Sequence, residues 1–280
     1  MKKKKSYLAY PYVLWSTLFI VVPLLLIVFF AFTVKEGGVT KFSLDNFKRL
    51  MDPMYAKVFT RSVVLAGQST VLCLLIGYPV AYIISRKPES RKGMLIMLFI
   101  LPMWMNFLLR TYAWLAILGK NGLLNNFLTM IGLNPIEILY TNSAILLGMV
   151  YNFLPFMVLP IFTSLSKMDQ DLVNAAHALG AGKITAFIKV IFPLSMPGVI
   201  SGITMVFMPA VSTFVISQLL GGGKQMLIGN LIEQQFTTFG NWNFGSAVSI
   251  VMMILILICM ALTSKFSDKD EEGKGGRVMW

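Results

Sequence analysis

The chain has 280 residues, 56% of them hydrophobic and only 13% charged, against about 25% charged in an ordinary soluble domain. Those charges are gathered into clusters with long uncharged intervals between them, which excludes a soluble globular fold. The net charge of +12 comes with no basic groove or finger motif, so it reads as membrane topology and not as nucleic-acid binding.

The uncharged intervals are Ser6–Val34, Ser62–Ser85, Ile138–Ser166, Val190–Gly223 and Gln234–Ser264, with a sixth, Gly93–Gly119, interrupted only by Arg110. Each is long enough for the roughly 20 apolar residues that cross a bilayer. Runs such as VVPLLLIVFFAF (21–32) and VMMILILIC (251–259) do not alternate, so the spans are helices and not barrel strands. The predicted fold is an all-α, polytopic membrane protein with six transmembrane helices.

Residues 1–11 form a basic N-terminus, and the apolar run after KKKK is too long for a signal-peptide core. It is expected to stay as span 1, Tyr12–Phe32. The segment 35–57 follows as the longest loop on the far side. In it Phe42, Leu44, Phe47 and Leu50 are spaced to share one face of a short amphipathic helix, lying at the interface or docking an external partner. Span 2 covers 62–84, with Pro79 expected to disturb it locally. Span 3 covers 94–118, with Pro102 near its start. Span 4 covers 141–164 and holds Pro155 and Pro160. Span 5 covers 197–220 around Pro209, and span 6 covers 245–263. The tail 264–280 is polar and expected to be disordered. Cys73 and Cys259 both fall within spans and read as packing residues. His177 is isolated, and no metal site is expected. No Gly-rich loop ending in Gly-Lys-Ser/Thr occurs, and GGGK at 221–224 does not fit that pattern. The chain is therefore expected to be non-catalytic and to bind no cofactor.

Charge places the spans. Lys2–Lys5, then Arg86, Lys87, Arg91 and Lys92, then Lys167, Lys183 and Lys189, then Lys265, Lys269, Lys274 and Arg277 fall on one side. The other side has Lys35, Lys41, Lys48, Arg49, Lys57, Lys120 and Lys224. The excess marks the cytoplasm, so both termini are expected there, in a multi-pass protein of the cell (inner or plasma) membrane.

The segment SKMDQDLVNAAHALGAGKITAFIKVIFPLSMPG (166–198) is cytoplasmic on this count. Ser166 with Asp169 fits a capping box that would start a helix near Lys167. Asp169 and Asp171 suit its first turns. Leu172, Ala175, Ala176 and Leu179 fall on one side, and Gly180 supplies a stop. A second short helix would carry Ile184, Phe187, Ile188 and Ile191 on one apolar face, with Pro193 and Pro197 marking the return to the membrane.

This segment resembles the coupling loop of ATP-binding-cassette importer permeases. The family pattern is Glu-Ala-Ala, three residues, Gly, nine residues, then Ile-x-Leu-Pro. Here it reads Asn174-Ala175-Ala176, Gly180 and Val190-Ile191-Phe192-Pro193. Asn174 stands where the family has its glutamate, and Asp171, three residues earlier on the same helix face, is a candidate substitute. LPMWMNFLLRTYAW (101–114) and YNFLPFMVLPIFTSLSKMD (151–169) are similar to the third and fourth spans of spermidine/putrescine permeases.

The resemblance implies a type I importer fold and a permease subunit that forms half of a polyamine path. It implies a second homologous permease chain, two ATPase subunits that bind ATP and Mg, and an extracytoplasmic substrate-binding protein. It implies coupling to the ATPase through 166–193, by Asp169, Asp171, Asn174, Ala175, Ala176, Gly180 and Pro193. A polyamine path calls for aromatic faces and acceptors. Candidates are Tyr78, Tyr82, Trp104, Tyr112, Trp114, Tyr151 and Asn152, with packing or an interfacial belt as the competing role. Arg110 is a charge deep in a span, suited to subunit packing or gating, with Glu233 as one possible ion-pair partner in an outer gate loop. Two alternatives stay open: a permease of this class for another small solute, and a secondary transporter driven by an ion gradient.

Overall fold

The computed structural model describes residues 10–36 and 39–275. Helix α1 spans Tyr10–Ala31. A two-stranded antiparallel hairpin follows, β1 Thr33–Glu36 and β2 Val39–Phe42, paired Thr33 with Phe42 and Glu36 with Val39. Then come α2 Asp45–Leu50, α3 Pro53–Ser85, α4 Glu89–Trp104, α5 Phe107–Leu118 and α6 Leu123–Met130. The chain continues with α7 Asn142–Ser166, α8 Gln170–Ala178, α9 Lys183–Ser212, α10 Val215–Leu220, α11 Ile228–Thr237 and α12 Trp242–Gly275.

Five of these, α1, α3, α7, α9 and the Trp242–Thr263 part of α12, are long and apolar enough to cross a membrane. The expected third span is not one straight helix. It breaks at Met105, whose backbone is extended, and the helices on either side meet at 90°. The break is stabilised from the far side, where Asn106 caps α5 by accepting hydrogen bonds from the Leu108 and Leu109 amides. With the bent pair counted as one span, the total is six.

Helix α7 is central, packed between α3 and α9. Its Ile145, Met149, Met157, Val158 and Ile161 are fully buried, facing Ala66 and Cys73 of α3 and Val206 and Ala210 of α9. Lipid offers no hydrophobic drive between helices, so close backbone approach through small residues does this work. A Cβ at Gly198 would fall 2.6 Å from the Pro160 carbonyl oxygen and from Ser164 Cβ. A Cβ at Gly202 would meet Met157 Sδ at 2.7 Å, and one at Gly77 would meet Met157 Cγ at 3.1 Å. Met157 thus fills the notch where the three helices come nearest. Pro79, Pro155, Pro160 and Pro209 all lie inside helices that continue past them. Pro79 therefore does not break its span, and its missing N–H is tolerated as in other packed membrane helices.

Span 5 differs from its expected bounds. Helix α9 begins at Lys183 and ends at Ser212, and 215–220 is the separate helix α10. Thr213 is extended, and the Phe214 carbonyl accepts from Ser217 Oγ and from Asn230 Nδ2. The same carbonyl keeps its helical partner, the Gln218 amide, and Ser212 Oγ donates to the Met208 and Pro209 carbonyls at the end of α9, so the turn leaves these carbonyls paired. Asn230 Oδ1 also accepts from the Ser217 hydroxyl and the Leu227 amide. The Ile228 amide donates to Ser62 Oγ of α3 at 2.8 Å, which seats α11 against the start of α3.

The 35–57 loop is partly folded. Its helix is only Asp45–Leu50, because Phe42 belongs to β2, where it is 76% exposed and stacks on Phe32. The expected shared face therefore reduces to Phe47 and Leu50, which pack against Ala31, Ala247 and Ile250. Two asparagines fasten the end of α1 by donating to carbonyls of its last turn and of Thr33 just beyond it. Asn46 donates to those of Ala31 and Thr33, and Asn243 to those of Phe30 and Thr33. At the other end of the chain, helix α12 runs on through residue 275, where the sequence predicts a disordered tail from 264.

Candidate coupling surface and translocation path

The segment after α7 starts differently from its expected form. Ser166 ends α7, and the cap of α8 is Asp169, whose Oδ1 accepts from the Asp171 amide at 2.9 Å. No capping box begins at Ser166, because that residue is still helical. Val173 is the buried residue of α8. Leu172, Ala175 and Leu179 point outward, with Leu179 90% exposed, and Ala176 is half-buried. Asn174 is exposed beside Asp171, its Nδ2 3.5 Å from Asp171 Oδ1. Gly180 ends the helix at φ +84°, a conformation that favours glycine. The His177 ring Nδ1 lies 2.8 Å from the Ala181 carbonyl and closes the same turn.

The second helix is not short and does not stop at Pro193. It is the first part of α9, and a five-residue π-turn, Phe187–Ile191, carries it into the span. The Phe192 amide donates to the Phe187 carbonyl across that turn. Pro193 cannot donate the next backbone bond, and the wider turn accommodates it. The expected apolar stripe therefore splits. Phe187 and Ile191 pack inward, while Ile184 and Ile188 are 76% and 58% exposed.

Two of the aromatic candidates meet this turn. The Tyr78 and Tyr82 rings each lie edge-on to Phe187, at 5.8 and 5.4 Å between centroids, and Tyr78 also packs on Phe192 at 5.7 Å. The Tyr78 hydroxyl pairs with Ser195 Oγ, and Ser195 in turn donates to the Phe192 carbonyl. Arg86 lies over the Tyr82 ring at 5.2 Å and reaches Gln170 at 3.4 Å. Tyr78 and Tyr82 therefore clasp the root of the 166–193 segment. Ser195 was missed by sequence reasoning, and no spacing signal marks it. Phe187 was visible only as one apolar position among four.

Trp114 of α5 and Tyr151 of α7 meet edge-to-face at 5.3 Å and line a cavity of about 450 Å³ with Leu72 and Ser143. Asn152 is 2% exposed and does not line that cavity. Its Nδ2 donates to the Gly148 carbonyl, and its buried Oδ1 has no partner. Trp104 and Tyr112, on the two helices either side of the bend, are 73% and 53% exposed. Arg110 is 92% buried, with its guanidinium 5.9 Å from the Phe107 ring and Nε without a hydrogen-bond partner. Among the described residues it forms no ion pair with Glu233. Glu233 lies on α11, not in a loop, and its carboxylate accepts from Thr237 at 2.9 Å. Among the described residues, no three His, Cys, Asp or Glu side chains are placed to hold a metal.

A family model described as "binding-protein-dependent transport system inner membrane component" matches residues 74–270. The chain is 41% identical over 247 residues to the spermidine/putrescine transport system permease protein PotB of Escherichia coli (strain K12), covering 86% of this chain and 90% of that one. It is 39% identical over 249 residues to the protein of the same name from Haemophilus influenzae, covering 87% of each. Among solved structures, a chain of a bacterial ABC transporter involved in the import of the acidic polysaccharide alginate shares the fold. That match has a TM-score of 0.78 and 16% identity, over 94% of this chain and 96% of that one. A chain of the methionine ABC transporter MetNI, inward-facing, matches at a TM-score of 0.58 and 15% identity, over 78% and 96%.

Proposed function

We propose, from the premise that the chain belongs to the family of binding-protein-dependent transport system inner membrane components, that it carries polyamines across the membrane and is driven through its 166–193 segment. Membership makes it a permease subunit of an ABC-type importer, itself non-catalytic. This decides against the ion-gradient alternative. The partners are a second permease, ATPase subunits and a substrate-binding protein, and both termini lie in the cytoplasm with α8.

The observation that carries the coupling role is the exposure of α8. Val173 anchors the helix, while Leu172, Ala175 and Leu179 form an apolar face that stays exposed among the described residues. Such a face suits insertion into a cleft of an ATPase subunit. Asp171 beside Asn174 keeps a carboxylate near the position where the family has glutamate. Polyamine as cargo is supported by the relatives named for spermidine and putrescine, since the fold is shared with an alginate importer.

The test is uptake of labelled spermidine into vesicles holding the complete importer with ATP inside the ATPase compartment. Uptake that needs the ATPase subunit and the binding protein is expected. Uptake that persists without the ATPase would defeat the coupling reading, and no uptake of spermidine or putrescine would defeat the cargo reading.

A further inference from the structure

Two adjoining cavities, of about 580 and 450 Å³, share Leu72, Ser143 and Leu146. Together they form one groove between α3, α7 and the flank of α5. It starts at the end of α7 remote from α8, at Asn142, and reaches Leu154, a distance of roughly 18 Å along the helix. The outer end carries Gln68, Asn142 and Ser143, and the inner end carries the Trp114–Tyr151 pair.

The lining is chemically uneven. Gln68 lies within the uncharged interval of α3 and is exposed. A primary amide at that depth is costly against hydrocarbon and normally faces water, a partner or a path. No ionised side chain lines either cavity. What the groove offers is amide and hydroxyl oxygens at one end, leucines in the middle and two aromatic rings at the other. That order matches a linear polyamine. Ammonium groups take the oxygen acceptors and the ring faces, and the methylene chain lies along the leucines.

We propose that this groove is this chain's half of the polyamine path, with Gln68 and Ser143 at its entrance and Trp114 and Tyr151 as the inner cation platform. The inference rests on the polyamine reading above. With no carboxylate in the lining, the site holds cargo briefly and releases it, leaving tight capture to the binding protein.

The test uses the complete importer in vesicles, with spermidine as probe. Trp114→Leu is expected to raise the KM for spermidine uptake by roughly tenfold, the order of one lost ammonium–ring contact, and Trp114→Phe to restore most of it. In parallel, Gln68→Cys and Ser143→Cys importers are labelled with a cationic methanethiosulfonate, with wild type as the control for the native Cys73 and Cys259. Labelling that spermidine slows supports the groove even if Trp114→Leu fails to assemble. Cysteines that do not label, because lipid or the second permease fills the groove, overturn it. Labelling that spermidine does not slow overturns it too. If wild type transports spermidine and none of these changes is seen, this inference alone fails. If wild type does not transport spermidine, the polyamine reading fails and takes this one with it.

Discussion

The Tyr78 hydroxyl lies 2.9 Å from Ser195 Oγ, joining α3 to the root of α9 across 117 residues of chain. Phe187 fills the space beside that bond, between Tyr78 and Tyr82. Under the proposed coupling, a push on α8 would arrive at α3 and α9 together. Tyr78→Phe keeps every ring contact and removes only the hydroxyl. We expect a loss of about 1 kcal/mol in stability, seen in thermal unfolding of the purified complex. We also expect fewer spermidine molecules imported per ATP hydrolysed, measured in the same vesicles. An unchanged ratio would make the bond purely structural.

Glycine substitutions should separate by depth. Gly198→Ala places a methyl 2.6 Å from a carbonyl oxygen of α7, and backbone cannot move aside cheaply. A cost of about 1–3 kcal/mol is expected, read as lost yield and earlier aggregation on size-exclusion chromatography. Gly67→Ala on α3 meets nothing within 4 Å. It is expected to be neutral or stabilising, since alanine is favoured over glycine within a helix.

The continuous spans were legible in the sequence because each carries its own run of apolar residues. The bend at Met105 was not, because the run continues across it, although Asn106 followed by Phe107 is a readable cap. The turn at Thr213 was hidden for a different reason. It depends on Asn230, a residue from another helix, bonding to the Phe214 carbonyl. The Tyr78–Ser195 pair is similarly non-local. Arg110 and Tyr151 were chosen from the sequence by residue type, and only the packing separates the buried cation from the cavity-lining ring.

On α8, Leu179→Asp and Asp171→Lys are expected to weaken association with the ATPase subunit by about tenfold or more, while the helix itself persists. Asp169→Ala should instead fray the helix start, at about 1 kcal/mol for a lost cap. Co-purification of the ATPase together with circular dichroism distinguishes the two. Asn174→Glu is expected to leave association intact or strengthen it.

Arg110 has a buried Nε without a partner and no ion pair among the described residues. Removing an uncompensated charge should not destabilise the isolated chain. Arg110→Met is thus expected to leave this chain's melting temperature unchanged or higher, and to reduce pairing with the second permease, measured by co-purification. Normal pairing and normal uptake together would show that neither assembly nor gating needs the cation.

The π-turn at Phe187–Ile191 sets the aim of everything before it. It acts as a built-in single-residue insertion, and one residue corresponds to about 100° around a helix. Deleting one residue there, such as the exposed Lys189, would restore an even winding while leaving the sequence of α8 unchanged. The surface of α8 would then swing by roughly that angle about the axis of α9, and Leu172 and Leu179 would face the wrong way for their partner. A permease with this deletion should fold and insert, yet sit in the membrane as a machine whose drive shaft turns in an empty socket.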